Sequence, residues 1–199
     1  MTTFPAHRTK CPGSSPRGAL KGTALALVLL ALFWAGALCG TARDAHAASS
    51  EYQVKAAFLY NFMKFVEWPG DGLSNPGTLT IGILGKDPFG EALDEVRDKT
   101  AKGRRIVVVH LRGIEEVREC DLLFVCASEK GRLPQILRGV QSARVLTVAD
   151  QEGFCQAGGI INLVFVNNRV GFEVNVAAAN RVRLRVSSQL LKLARLVLE

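Results

Sequence analysis

The sequence is poor in the side chains that most often perform chemistry. Of its three histidines only His110 lies beyond the first 47 residues, and it sits inside the apolar run IVVVHL, where a structural imidazole is the plain expectation. No G-x-S-x-G elbow occurs, so a Ser-His-Asp hydrolase would have to recruit His110 from a strand. Cys and His clusters at zinc spacing are absent. No catalytic residue, metal ligand or cofactor is therefore assigned, and an enzyme ranks below a binding role. Acidic residues are missing from the start of the chain, with none before Asp44.

That acid-free start has a recognisable form. Arg8, Lys10, Arg17 and Lys21 precede an apolar run from Ala24 to Leu38, and Ala45-His46-Ala47 follows with small residues flanking one position. This is the pattern of a secretory signal peptide with cleavage after Ala47 or Ala48. As an uncleaved anchor the run is short, because fifteen residues at about 1.5 Å each reach only ~22 Å of a ~30 Å hydrocarbon core. A lipid-attachment box would need a small residue before Cys39, where Leu38 stands. Residues 1–47 are thus expected to leave, and residues 48–199 to form one exported domain.

The export signal also distorts the charge. The whole chain carries +7, but residues 1–47 hold five of its 25 basic and one of its 18 acidic residues, so the remainder carries only +3. No basic stripe with interleaved aromatics accompanies that excess, and nucleic acid is set aside as a partner. Three cysteines remain, Cys120, Cys126 and Cys155, in a compartment where disulfides persist.

Residues 51–68 predict a helix, with Glu51 one turn from Lys55 and a stop at Pro69-Gly70. Tyr52, Ala56, Leu59, Met63 and Val66 form one apolar line and Phe58, Phe62 and Phe65 a second. Lys55 and Lys64 fall on opposite sides, so this helix is expected to pack on more than one side, with the phenylalanine line as candidate partner-binding surface. Beyond it, the runs LTIGIL, IVVVHL, LLFVC and VLTV alternate with helix-like segments at 88–97, 113–119 and 129–140. Near-continuous apolar strands between helices predict an α/β domain with a mostly parallel sheet, flanked by helices on both faces. Residues 160–166 and 170–176, joined by Asn167-Asn168-Arg169, predict an antiparallel C-terminal edge hairpin. Arg181, Arg183 and Arg185 alternate with apolar residues as in a charged edge strand, and Ser187 or Ser188 can cap a last helix running to about Leu198.

Two candidate sites follow from this layout. Gly85, Lys86 and Asp87 lie between the first strand and the first crossover; they match neither G-x-G-x-x-G nor a P-loop. Asp87 as a helix cap explains them without a ligand, while free amides at a helix start beside the carboxyl edge would suit a small anion. Cys120 and Cys126 flank the third strand, about 20 Å apart at ~3.3 Å per residue, too far for one bridge. Cys155 follows the fourth strand at the same edge as Cys126, so a Cys126 to Cys155 disulfide is expected, with Cys120 left over.

Several blocks in order, EYQVKAAFLYNFMKFVEWP, LTIGILGKDPFGEAL, VLTVADQEGF, GGIINLVF and SSQLLKLARLV, resemble the YfiR-like family of small exported proteins from about Glu51 to Val197. The resemblance implies a periplasmic regulator that binds the periplasmic part of an inner-membrane diguanylate cyclase or sensor and represses it. Cyclic di-GMP and biofilm formation would fall as a result. It also implies a homodimer and an outer-membrane lipoprotein as a further partner. The family namesake has two bridged cysteine pairs where this chain keeps three cysteines beyond residue 47, so redox control does not carry over directly. The competing reading is a small-anion sensing domain of the cell envelope using Gly85, Lys86 and Asp87.

Overall fold

The computed structural model describes residues 51–68 and 77–199. The expected signal peptide with its expected cleavage site, Cys39 and most of the Pro69 loop lie outside the described residues.

The first helix, α1, covers residues 51–65 and ends three residues before the expected stop. Val66–Glu67 instead form a short strand, β1, paired antiparallel with β9 (Arg185–Val186), which places Glu67 opposite Arg185. The expected Glu51 to Lys55 pair forms, at 2.6 Å.

An eight-stranded sheet follows. It contains β2 (Thr78–Leu84), β3 (Thr100–Ala101), β4 (Arg104–Leu111), β5 (Leu122–Val125), β6 (Leu146–Ala149), β7 (Ile161–Val166), β8 (Arg169–Asn175) and β10 (Leu196–Leu198). Their spatial order is β10-β8-β7-β6-β5-β2-β4-β3. The central pairs from β4 to β7 are parallel; β3 with β4 and β7 with β8 are antiparallel. The fold is the mixed α/β domain that the apolar runs predict.

The reason those runs look continuous is visible in the pleat. Ile81, Ile83, Leu122, Phe124, Leu146 and Val148 face one core with α1, whereas Leu84, Leu123, Val125 and Ala149 face a second core. Successive side chains point to opposite faces, and here both faces are covered, so no position can be polar without a partner. The second core is closed by α2 (Leu133–Val140), which buries Leu133, Ile136, Leu137 and Val140. The short helices α3 (Val176–Arg181) and α4 (Ser188–Leu191) join α1 on the first.

Two expected crossover helices are tighter than predicted. Phe89, Ala92, Leu93 and Val96 are buried at helical spacing, but the backbone there makes a 3-10 turn at Gly90–Leu93 and irregular turns to Asp98. Positive φ at Gly90 and at Asp98 brackets the segment and limits it to about two turns. Residues 114–119 are likewise 3-10.

The hairpin turn behaves as its residues require, with Asn167 at φ 53° and Asn168 at φ 59°, the paired left-handed conformation of a tight hairpin. The hairpin is not the outermost element, however. Ser187 does cap a helix, accepting from Leu190 N–H at 3.2 Å, but α4 stops at Leu191 and the chain returns as β10, parallel to β8. The arginine row also dissolves: Arg181 ends α3, Arg183 turns with φ 60°, and only Arg185 is in a strand.

Candidate functional site

At the carboxyl edge of the parallel strands the sheet is closed by a buried polar network. Lys55, 4% exposed on an otherwise apolar helix face, reaches from α1 to Asp150, the residue after β6, at 2.7 Å. Tyr52 donates to the same carboxylate oxygen at 3.0 Å, and the Lys55 ammonium lies 4.3 Å from the Tyr52 ring centre. This pairing is why the lysines do not gather on one side of α1: Lys64 is exposed and Lys55 is part of the core contact.

Burial opposes the charge on Lys55, but hydrogen bonds to Asp150 and Glu51 more than offset it and hold the ammonium above its ordinary value. Burial and then the Asp150 charge push Tyr52 up to about 12.

The network continues one residue on. Gln151, buried, donates from its side-chain amide to the carbonyls of Val125 and Cys126 at 3.0 and 3.1 Å, tying the ends of β5 and β6 together. Its backbone N–H is received by Asn162, which in turn donates to Glu173 at 3.2 Å. Each of these side chains bonds another part of the fold, while Asp150 Oδ1 and Gln151 Oε1 stay buried without a hydrogen-bond partner at the edge where α/β sheets commonly hold ligands. Sequence reasoning missed Tyr52, Asp150, Gln151 and Asn162 as a group. The available signals were a lysine on an apolar helix face and an Asp-Gln pair immediately after an apolar strand.

The loop singled out in the sequence lies nearby. Gly85 adopts φ 99°, which a glycine allows without strain. Lys86 N–H donates to the Ser128 hydroxyl at 2.9 Å. Asp87 accepts from Phe89 N–H at 2.7 Å and its other oxygen lies 2.7 Å from His110 Nε2. His110, within β4, is therefore a half-exposed structural link to this loop. The amides of residues 86 and 89 have intramolecular acceptors, and a four-residue 3-10 turn starts just beyond them.

The cysteines correct a further expectation. Cys120, Cys126 and Cys155 are all buried and free, and the bridge between Cys126 and Cys155 is not formed. The Cys155 thiol points instead toward the carbonyls of Ile160 and Glu173, 3.7 Å from each, while Cys126 packs in the α1 core. Burial pushes all three thiols from 9.0 to about 12, which makes them inert near neutrality.

A pH dependence follows from these shifts. Unfolded thiols ionise from about pH 9 and tyrosine from about pH 10, whereas the folded groups keep their protons to about 12. The stability they contribute is complete below pH 9 and is lost as pH rises toward 12. Lys55, also raised, adds a loss in the same direction at the alkaline end. Denaturant titrations at stepped pH are expected to show stability flat from pH 7 to 9 and falling above it, with a shallower fall in a Cys120→Ala, Cys126→Ala, Cys155→Ala variant.

Of the phenylalanine line, Phe62 is wholly buried, packed edge-on against Phe172 at 5.3 Å, and belongs to the core rather than to a surface. Phe58 and Phe65 remain partly exposed. Phe58 touches Phe172 of β8 at 5.6 Å. On that same sheet face Phe165, 49% exposed, continues past Leu163 toward the hairpin tip. The segment leading into β10 runs along β8, where Arg195 N–H donates to Phe172 C=O at 2.8 Å, and it exposes Leu193 (70%), Leu196 and Val197. Exposed apolar side chains thus flank β8, with Phe165 and Val197 on the Phe172 face of the sheet and Leu196 on the opposite face.

The polar network at one edge and the exposed apolar side chains beside β8 belong to one mixed α/β domain. Residues 52–195 match the model of the YfiR/HmsC-like family, and the chain belongs to that family. No curated protein matches the sequence. Among solved structures, a conserved domain protein from Vibrio cholerae O1 biovar El Tor is similar at 12% identity and a TM-score of 0.44, over 61% of this chain and 55% of that one. The ABC domain from Streptococcus pneumoniae, solved with L-Trp, is similar at 14% identity and a TM-score of 0.48, over 70% of this chain and 59% of that one. The chain therefore spans little more than half the length of either structure.

Proposed function

We propose that the protein is exported and acts in the periplasm as a repressor of an inner-membrane diguanylate cyclase, binding the cyclase's periplasmic part and lowering cyclic di-GMP. The observation that carries this reading is the family match over residues 52–195, which points to a periplasmic regulator in cyclic di-GMP signalling rather than to a catalyst. The leader at residues 1–47 supports the address. The apolar side chains exposed on the Phe172 face of the sheet, with Phe58 packed against Phe172, support docking onto a protein, and Phe65 adds a further partly exposed aromatic. Phe62 contributes by holding Phe172 in place.

The ligand-sensing alternative at Gly85, Lys86 and Asp87 draws no support from the geometry of that turn. Affinity capture with a tagged copy from solubilised membranes tests the proposal: an inner-membrane protein with a cytoplasmic cyclase domain is expected in the eluate. Recovery of no membrane protein under conditions that retain known envelope complexes would contradict it.

A further inference from the structure

We propose that a pocket at the amino edge of the sheet, overhung by Arg181, binds a small carboxylate with an apolar body. The pocket has a volume of about 630 Å³ and opens where α2, the start of β6, the turn before β7 and the end of α3 meet. That volume falls within the range of small-molecule sites. It lies at the opposite end of the strands from the Lys55 and Asp150 network, and the function proposed above does not use it.

Its lining carries charge of one sign on a mixed surface, with Gln141, Gln156 and Asn175 beside the apolar residues. Val140, Val145, Ile160 and Ala178 supply a buried apolar floor. Arg181 is the one charged residue among those that line it, and no carboxylate is present to neutralise a bound anion's partner. The Arg181 side chain is exposed and makes no ion pair or hydrogen bond among the described residues. Its guanidinium stands over Gly158, where an ideal Cβ would lie 3.8 Å from Nη2. Gly158 holds φ 105°, so the turn beneath the guanidinium is one that glycine alone adopts readily.

Thr147 adds a second donor. Its hydroxyl accepts from Ile160 N–H at 3.0 Å, which leaves the hydroxyl proton free to be given to a ligand. A forked guanidinium matches the two oxygens of a carboxylate, and such charge-assisted pairs are stronger than neutral ones. With one arginine and an apolar floor, the pocket suits a monoanion carrying a ring or branched chain better than a multiply charged phosphate.

Phenylacetate, its neutral analogue phenylacetamide and inorganic phosphate are the probes, titrated into the purified protein and followed by amide chemical shifts. Phenylacetate at millimolar concentration is expected to move the resonances of Thr147, Gly158 and Arg181. Its affinity should fall about tenfold or more in Arg181→Gln, and phenylacetamide should be weaker by a similar factor. Ala157→Trp, a substitution at the exposed rim, should block both organic probes while leaving the fold's spectrum intact. Equal affinity in wild type and Arg181→Gln, no movement at those three amides, or tighter binding of phosphate than of phenylacetate would each overturn the proposal.

Discussion

Replacing Asp150 by alanine is expected to cost about 3 kcal/mol, because it removes the more deeply buried of the two carboxylates that pair with a buried ammonium. Lys55 would retain only Glu51, and the Tyr52 hydroxyl would lose the acceptor it reaches at 3.0 Å. For a domain of this size the loss corresponds to a fall in Tm of roughly 10 °C. The cost comes from the orphaned charge more than from the value of the pair itself. A Lys55→Met, Asp150→Leu double variant should therefore recover much of the stability lost in either single variant. Thermal unfolding of the two singles and the double forms a cycle that separates these cases. Strictly additive losses would show that Lys55 and Asp150 do not depend on each other.

How much of this was readable beforehand depended on the range of the interaction. The strands were legible because their apolar character is local, and the hairpin because Asn167 and Asn168 tolerate the left-handed backbone that both adopt. The end of the chain was misread because LARLVL suits a helix or a strand equally. Pairing with β8, a long-range contact, decided for β10. The arginine row failed for a similar reason, since α3 and the turn at Arg183 break the alternation. Lys55 and Asp150 are 95 positions apart, so no spacing rule could join them, although each stood out as a polar residue in an apolar setting. The cysteines were placed correctly along the strands, but the side-chain directions that decide a disulfide were not available from strand positions alone.

A Phe165→Asp, Leu193→Asp variant is expected to abolish partner capture, lowering affinity by about 1,000-fold if each side chain contributes as an interface anchor of ~2 kcal/mol. Both side chains are substantially exposed, at 49% and 70%, so stability should change by no more than about 0.5 kcal/mol for each. Pairing the two readouts matters: a variant that loses binding while melting like the wild type locates the contact around β8. One that loses both says only that the fold was damaged. Phe62→Ala serves as the contrasting case, since that residue is fully enclosed and its removal should act through stability, at about 3–5 kcal/mol.

Cyclic di-GMP measured in cells lacking the protein, then in the same cells supplied with wild type or with Phe165→Asp, Leu193→Asp, tests the regulatory reading most directly. Repression through the β8 surface predicts a raised nucleotide level on deletion, restoration by the wild type, and a level that stays raised with the variant despite equal export. A nucleotide level indifferent to deletion, or one restored equally well by the variant, would contradict it.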